Sequence, residues 1–221
     1  MQMQVQGKRA MVLRVIAALL LAWHAFSAWA APDDDYRAGS AAFRAGDVVQ
    51  AMALLKKSAD AGHAPSQSLL AYILNKAEFN DEAIAYYRKA AAQGDAEGEF
   101  GLGSMYAAGE GVKRDEAEAR KWITSAAGRG HVAAIRVLAL AYIKGELGIE
   151  EAERSSAEAL RWVRRAADSG DVTAMEQLAI AYRTGAYGLG VDLKQAEALD
   201  AKGRAARGMA EKGAARKKEK K

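Results

Sequence analysis

Two histidines, His63 and His131, each directly after a glycine, are the first residues whose type could do chemistry. Imidazoles can hold a metal or shuttle a proton, but metal binding needs ligands that converge. These two sit in equivalent turns far apart in the chain, so we expect them to cap the helices that follow. Asp33, Asp34 and Asp35 offer carboxylates for calcium, yet they lack the spaced oxygens and central glycine of a calcium loop and read as a solvated acidic stretch. Gly109-x-Gly111 and Gly188-x-Gly190 could cradle phosphate, but neither extends to Gly-x-Gly-x-x-Gly or follows a strand pattern, so loop geometry explains them. Ser-x-x-Lys, Gly-x-Ser-x-Gly, His-Glu-x-x-His and the phosphate-binding loop are missing from the sequence, and there is no cysteine nucleophile. No catalytic residue, metal ligand or cofactor is assigned, and the expectation is a protein that is not an enzyme.

Composition frames the elements that carry these residues. The 221 residues include no cysteine, two prolines and 21 glycines; 51% are hydrophobic but only 7% aromatic. A disulfide scaffold and cysteine-ligated metal sites are excluded, and abundant small residues favour close-packed helices. Residues 1–30 contain Lys8, Arg9 and Arg14, no acid, an apolar run from Val15, and Ala28-Trp29-Ala30 at its close. This is the pattern of a secretory leader cut after Ala30. An uncleaved anchor is the competing expectation, but the strongly apolar part, Val15 to Ala22, is far short of the roughly 20 residues a bilayer core needs. Residues 202–221 hold nine lysines or arginines and two glutamates, so an acidic body carries a basic tail.

A repeat organises the rest. Gly62, Gly94, Gly130 and Gly170 each have a large residue eight positions earlier, in turn Leu54, Tyr86, Trp122 and Trp162. Small pairs precede them, Ser58-Ala59, Ala90-Ala91, Ala126-Ala127 and Ala166-Ala167. These offsets predict an amphipathic helix closed by a left-handed glycine, with Asp95 or Asp171 capping the next helix and Pro65 in its opening turn. Tyr72, Tyr106, Tyr142 and Tyr182 mark the other helix of each pair; this tyrosine and tryptophan ladder is expected to be core before ligand site. Only the loop between the paired helices varies in length: Asn75 to Asn80 is tight, while Gly109 to Arg114, Gly145 to Arg154 and Gly185 to Val191 are longer. Asp115 with Glu118, Ser155 with Glu158, and Asp192 with Gln195 are expected capping boxes that start the second helices.

Leu102-Gly103, Tyr106, Gly109, Gly111-Val112, Asp115, Ala119, Trp122, Ala126-Ala127 and Gly130-His131 together resemble one full SEL-one-like repeat (SLR), a longer relative of the tetratricopeptide repeat (TPR). Tyr142, Gly145, Trp162, Ala166-Ala167 and Gly170 resemble a second, while the stretch around Tyr86 looks nearer a plain TPR. The resemblance covers about residues 36–202. It implies an all-α fold, a right-handed α-solenoid of about five antiparallel helix pairs, in which Trp122 and Trp162 wedge between helices.

The expected organisation is therefore a signal peptide at 1–30, the repeat domain at 31–202 and a basic, disordered or frayed tail at 203–221. The resemblance implies a non-enzymatic scaffold for protein–protein interaction; with the leader pattern, the expectation is a chain exported to a periplasm or secreted, with a protein or peptide partner in the cell envelope. Its concave face would be formed by the first helices, with contacts near Glu99, Arg136, Glu176 and Arg183. The alternative is a membrane-surface adaptor in which Arg216, Lys217, Lys218, Lys220 and Lys221 meet an anionic surface or an acidic protein. No nucleic-acid partner is expected of an exported chain.

Overall fold

The computed structural model describes the backbone of residues 32–218 and the side chains of 32–209; the leader and Lys220 and Lys221 lie outside the described residues. Among the described residues there are ten α-helices and no strand. They are α1 (32–45), α2 (Val48–Asp60), α3 (Ala64–Lys76), α4 (Asn80–Ala92) and α5 (Ala96–Ala108). Then follow α6 (Glu116–Gly128), α7 (Val132–Lys144), α8 (Ala157–Asp168), α9 (Val172–Thr184) and α10 (Leu193–Lys218). The chain divides into two compact units, residues 1–90 and 91–221. From α2 to α9 the helices are 12 or 13 residues long, marginal in isolation, so their stability comes from packing on neighbours.

The punctuation follows the sequence pattern. Gly62, Gly94, Gly130 and Gly170 have φ of 93°, 77°, 92° and 89°, a left-handed conformation that other residues adopt at a cost. After three of them the next helix is capped by a side chain. Asp95 accepts from Gly98 N at 2.8 Å, Asp171 from Ala174 N at 2.9 Å, and His131 Nδ1 from Ala134 N at 3.1 Å. His63 stands at the same place but makes no such bond; its Nδ1 meets Ser66 Oγ at 2.9 Å. Of the expected capping boxes, Asp192 takes Gln195 N at 3.0 Å and Asp115 takes Glu118 N at 3.0 Å. The Glu118 carboxylate turns away, however, to Lys121 and to Trp122 Nε1. The third cap is Ser156, which accepts from Ala159 N, one residue beyond the expected Ser155.

Small residues set the closeness of each pair. A Cβ on Gly103 would lie 2.8 Å from Ile123 Cγ1 and 3.1 Å from the Ala119 carbonyl, so α5 meets α6 almost backbone to backbone. A Cβ on Gly39 would lie 2.8 Å from Leu55 Cγ, the same close approach of α1 to α2. In residues 91–221, Ala126, Ala127, Ala166, Ala167, Leu138, Tyr142 and Val163 form one buried cluster.

The expectation of one buried aromatic ladder is corrected. The tryptophans are not equivalent: Trp162 is 2% exposed within that cluster, whereas Trp122 is only half-buried, its ring beside the Lys121 ammonium. Tyr106 is likewise half-buried where Tyr142 is core. Within the tail, α10 runs on as helix to Lys218. Arg207 stands eight residues after Leu199, where earlier repeats have their helix-ending glycine, and α10 continues through Gly208 and Gly213 beyond it. Gly203 packs on α9, with a Cβ there coming to 3.8 Å from Val172 Cγ1.

Candidate partner-binding face

Counting from each cap aligns the first helices of residues 91–221. Positions two, five, nine and twelve residues on lie on one face. They are Glu97, Phe100, Ser104 and Ala107 in α5, Ala133, Arg136, Leu140 and Ile143 in α7, and Thr173, Glu176, Ile180 and Arg183 in α9. None of these twelve is fully buried.

The fifth position reaches the cap of the next repeat. Phe100 stacks on His131 with centroids 4.7 Å apart and planes 29° from parallel, and Glu97 Oε2 meets His131 Nε2 at 3.0 Å. Because Nδ1 accepts from Ala134 N, Nε2 carries the proton and donates to Glu97. Arg136 Nε donates to Asp171, the following cap, at 2.9 Å. Glu176 pairs with Arg207, which occupies the place where α10 would have ended. The same joint recurs in residues 1–90, where Tyr36 packs at 5.2 Å on the His63 ring and Asp33 lies 3.7 Å from His63 Nε2. The two histidines are thus linked to the preceding repeat, each by an acid and an aromatic ring.

Of the four expected contact residues, the face holds three. Arg136, Glu176 and Arg183 are on it, each ion-paired within the chain, Arg183 with Asp200. Glu99 is a correction: it is 2% exposed and cannot greet a partner. One residue before Phe100, it turns about 100° toward α6, where Ser125 Oγ donates to it at 2.8 Å and Arg129 Nε at 3.1 Å. The residues that sequence reasoning missed are apolar. Ile180 is 48% exposed on the face, with half-buried Leu140 at the same count in α7, and Val137, next to Arg136 on α7, is 37% exposed at its edge. Counting from the caps would have found Leu140 and Ile180.

Behind this face a second network fixes the longest loop. Arg120 of α6 donates to both Glu153 oxygens, at 2.5 and 3.1 Å, and to Tyr142 OH at 3.0 Å, while its guanidinium lies 5.5 Å from the Tyr142 ring centre. Hydrogen bonding to Glu153 pushes Arg120 up, and the same bond holds Glu153 below the usual carboxylate range. Burial pushes the Tyr142 hydroxyl up. These groups have found one another and present no acid and base poised on a cleft.

Asp33 and Asp34 pair with Arg37, and Asp35 with Lys57 at 2.8 Å. Gly109 and Gly111 have φ of 77° and 64°, the turn geometry expected of that loop. Among the described residues no group of three or more histidine, cysteine, aspartate or glutamate side chains is placed to hold a metal.

The family model described as the Sel1 repeat matches residues 36–63, 80–95, 96–131, 132–171 and 172–199. DAP3-binding cell death enhancer 1 of Rattus norvegicus is 37% identical over 84 residues, which is 37% of this chain and 16% of that protein. The Mus musculus counterpart matches to the same extent, so the chain spans about a sixth of these curated relatives. Among solved structures, c5321, a protective antigen of uropathogenic Escherichia coli with an SLR fold, superposes with a TM-score of 0.68 at 29% identity. That match covers 78% of this chain and 38% of c5321. A Sel1 repeat protein from Oxalobacter formigenes superposes with a TM-score of 0.61 at 26% identity, over 78% of this chain and 70% of that one.

Proposed function

The chain belongs to the Sel1 repeat family, α-solenoid proteins that are generally non-catalytic scaffolds for protein–protein interaction, and on that premise we propose an exported scaffold of the bacterial cell envelope. Its partner is a protein or peptide segment laid along α5, α7 and α9. The observation that carries this assignment is the exposed apolar side chains of these helices, Ile180 on the face of α9 and Val137 next to Arg136 on α7, among Arg136, Glu176 and Arg183. Each of those charges already has a partner in the chain. Apolar anchors inside a polar rim are what a peptide-binding surface requires. The rodent relatives are named for binding another protein, DAP3, which supports a protein partner in kind. Export rests on the sequence of residues 1–30, basic, then apolar, then Ala-x-Ala.

The second reading, a membrane-surface adaptor, is favoured by the continuation of α10 through Lys218, which carries Arg216, Lys217 and Lys218 on a helix. Among the described residues no helix is long and apolar enough to cross a membrane.

One experiment separates the two. The full chain and a variant with Arg216, Lys217, Lys218, Lys220 and Lys221 changed to Gln serve as baits for quantitative capture from envelope extract at low and moderate salt. Equal retention of the same protein by both at moderate salt supports the helix face. Retention that needs the five cations and fades with salt selects the adaptor. Intact mass of the protein recovered from cells tests export: a chain starting at Ala31 is expected, and one starting at Met1 excludes cleavage.

A further inference from the structure

Residues 1–90 contain a groove of about 470 Å³ between α2 and α4, lined by Met52, Leu70 and Leu74, with Lys56, Glu82 and Tyr86 among the residues around them. We infer that this groove is a second recognition site, taking a peptide segment in which a leucine-like side chain neighbours a lysine or arginine. It lies in the other compact unit from the α5, α7 and α9 face, so either site can fail without the other.

The apolar half of the argument is the lining. A thioether and two leucines around an open concavity suit one aliphatic side chain, and a flexible methionine adapts to its shape. The charge half comes from which groups are already satisfied. Lys56 Nζ lies 2.9 Å from Asp60 Oδ2 and 3.3 Å from Tyr86 OH, and Tyr86 OH donates to Asp60 Oδ1 at 2.9 Å. Lys56 and Asp60 neutralise one another, and Lys89, whose Nζ lies 4.9 Å from the Tyr86 ring centre, adds a cation at that end, away from the Glu82 carboxylate's turn. The Glu82 carboxylate takes no hydrogen bond or ion pair from any described residue, and neither do the carboxylates of Asp81 beside it in α4 and Glu78 in the preceding turn. Phe79, between them, is 56% exposed. The groove therefore has an uncompensated negative edge beside an apolar lining, and a cation one residue from an aliphatic anchor meets both. An acidic segment would face like charge at Glu82.

The test uses the full chain and fluorescently labelled, blocked octapeptides alternating lysine with leucine, glutamate with leucine, or lysine with glycine, read by anisotropy and by amide shifts in NMR. The lysine–leucine peptide should bind at least about tenfold more tightly than the other two, with shifts centred on α2 and α4. Glu82→Lys should reverse the preference toward the glutamate–leucine peptide. Ala53→Trp, an exposed position on the same groove, should plug it and abolish the shifts while circular dichroism stays that of the parent. Equal affinity for the three peptides, no shifts at α2 and α4, or binding that survives both substitutions would each overturn the proposal.

Discussion

Repeats one and two (α1–α4) differ from repeats three to five (α5–α10) above all at the connection between paired helices. In residues 1–90 these connections are tight, α1 to α2 through Gly46 and Asp47 and α3 to α4 through 77–79, and Val49 and Phe79 are left exposed there. In residues 91–221 the loops are long and bring their own apolar side chains: Ile149 is buried, and Leu147, Tyr187 and Leu189 pack on the core. Their backbones also tie back. Asp115 N donates to the Tyr106 carbonyl at 3.0 Å and Asp192 N to the Tyr182 carbonyl at 2.8 Å. Arg154 donates to the Ile143 carbonyl at 2.7 Å in the loop between them. Loop length here becomes core, and the tight turns leave a groove instead. Insertions are cheap in chain entropy, so a longer loop that buries even two side chains adds net stability.

The largest effect expected from this contrast is at the tryptophans. Trp162→Ala should destabilise residues 91–221 by about 3–5 kcal/mol, enough to lose most of a typical domain's margin. Trp122→Ala should cost clearly less, because its ring is partly exposed already. Urea titrations of the two variants check this; equal losses would show that burial is not what distinguishes the repeats. Next comes helix closeness. Gly103→Ala forces a Cβ against Ile123 and the α6 backbone and should cost about 1–3 kcal/mol. Gly128→Ala, with nothing within 4 Å of the added Cβ, should be neutral or stabilising by up to about 1 kcal/mol.

The smallest effects are electrostatic, one network in each unit. Asp60 is held below the usual carboxylate range by hydrogen bonds from Lys56 and Tyr86, and Glu153 by Arg120. A lowered carboxyl stabilises the fold at neutral pH, and that contribution disappears as pH falls through the folded-state value, below about 4. The melting-temperature gap between parent and Asp60→Asn, or parent and Glu153→Gln, should therefore close between pH 6 and about pH 3. Lys56 is raised by its bond to Asp60, and Tyr86 chiefly by burial. Both put further loss on the alkaline side, above about pH 10. Tyr86→Phe should flatten that limb, and an unchanged limb would remove Tyr86 from the account.

Much of the architecture was legible because glycine, alanine and cap residues are placed by backbone geometry, which sequence reports directly. The left-handed glycines, the caps at Asp95 and Asp171 and the paired alanines all follow from local rules. What was not legible depends on partners remote in sequence. Glu99 looks solvent-bound by type, yet Ser125 and Arg129 bury it. Trp122 and Trp162 share every local spacing, and only their surroundings separate them. Arg207 in place of a terminating glycine was visible in the sequence but has meaning only once Glu176 is seen to meet it. The contact face needed one step more, a count from each cap, to move from Glu99 to Phe100 and on to Leu140 and Ile180.

The central claim is that α5, α7 and α9 present a partner-binding face. Its most direct test is capture of an envelope protein by the full chain and by Val137→Asp/Ile180→Asp, two exposed substitutions that should leave melting nearly unchanged. The double variant should lose at least about tenfold of the bound partner, since apolar anchors carry most binding energy. Undiminished capture by a variant that is folded like the parent would contradict it.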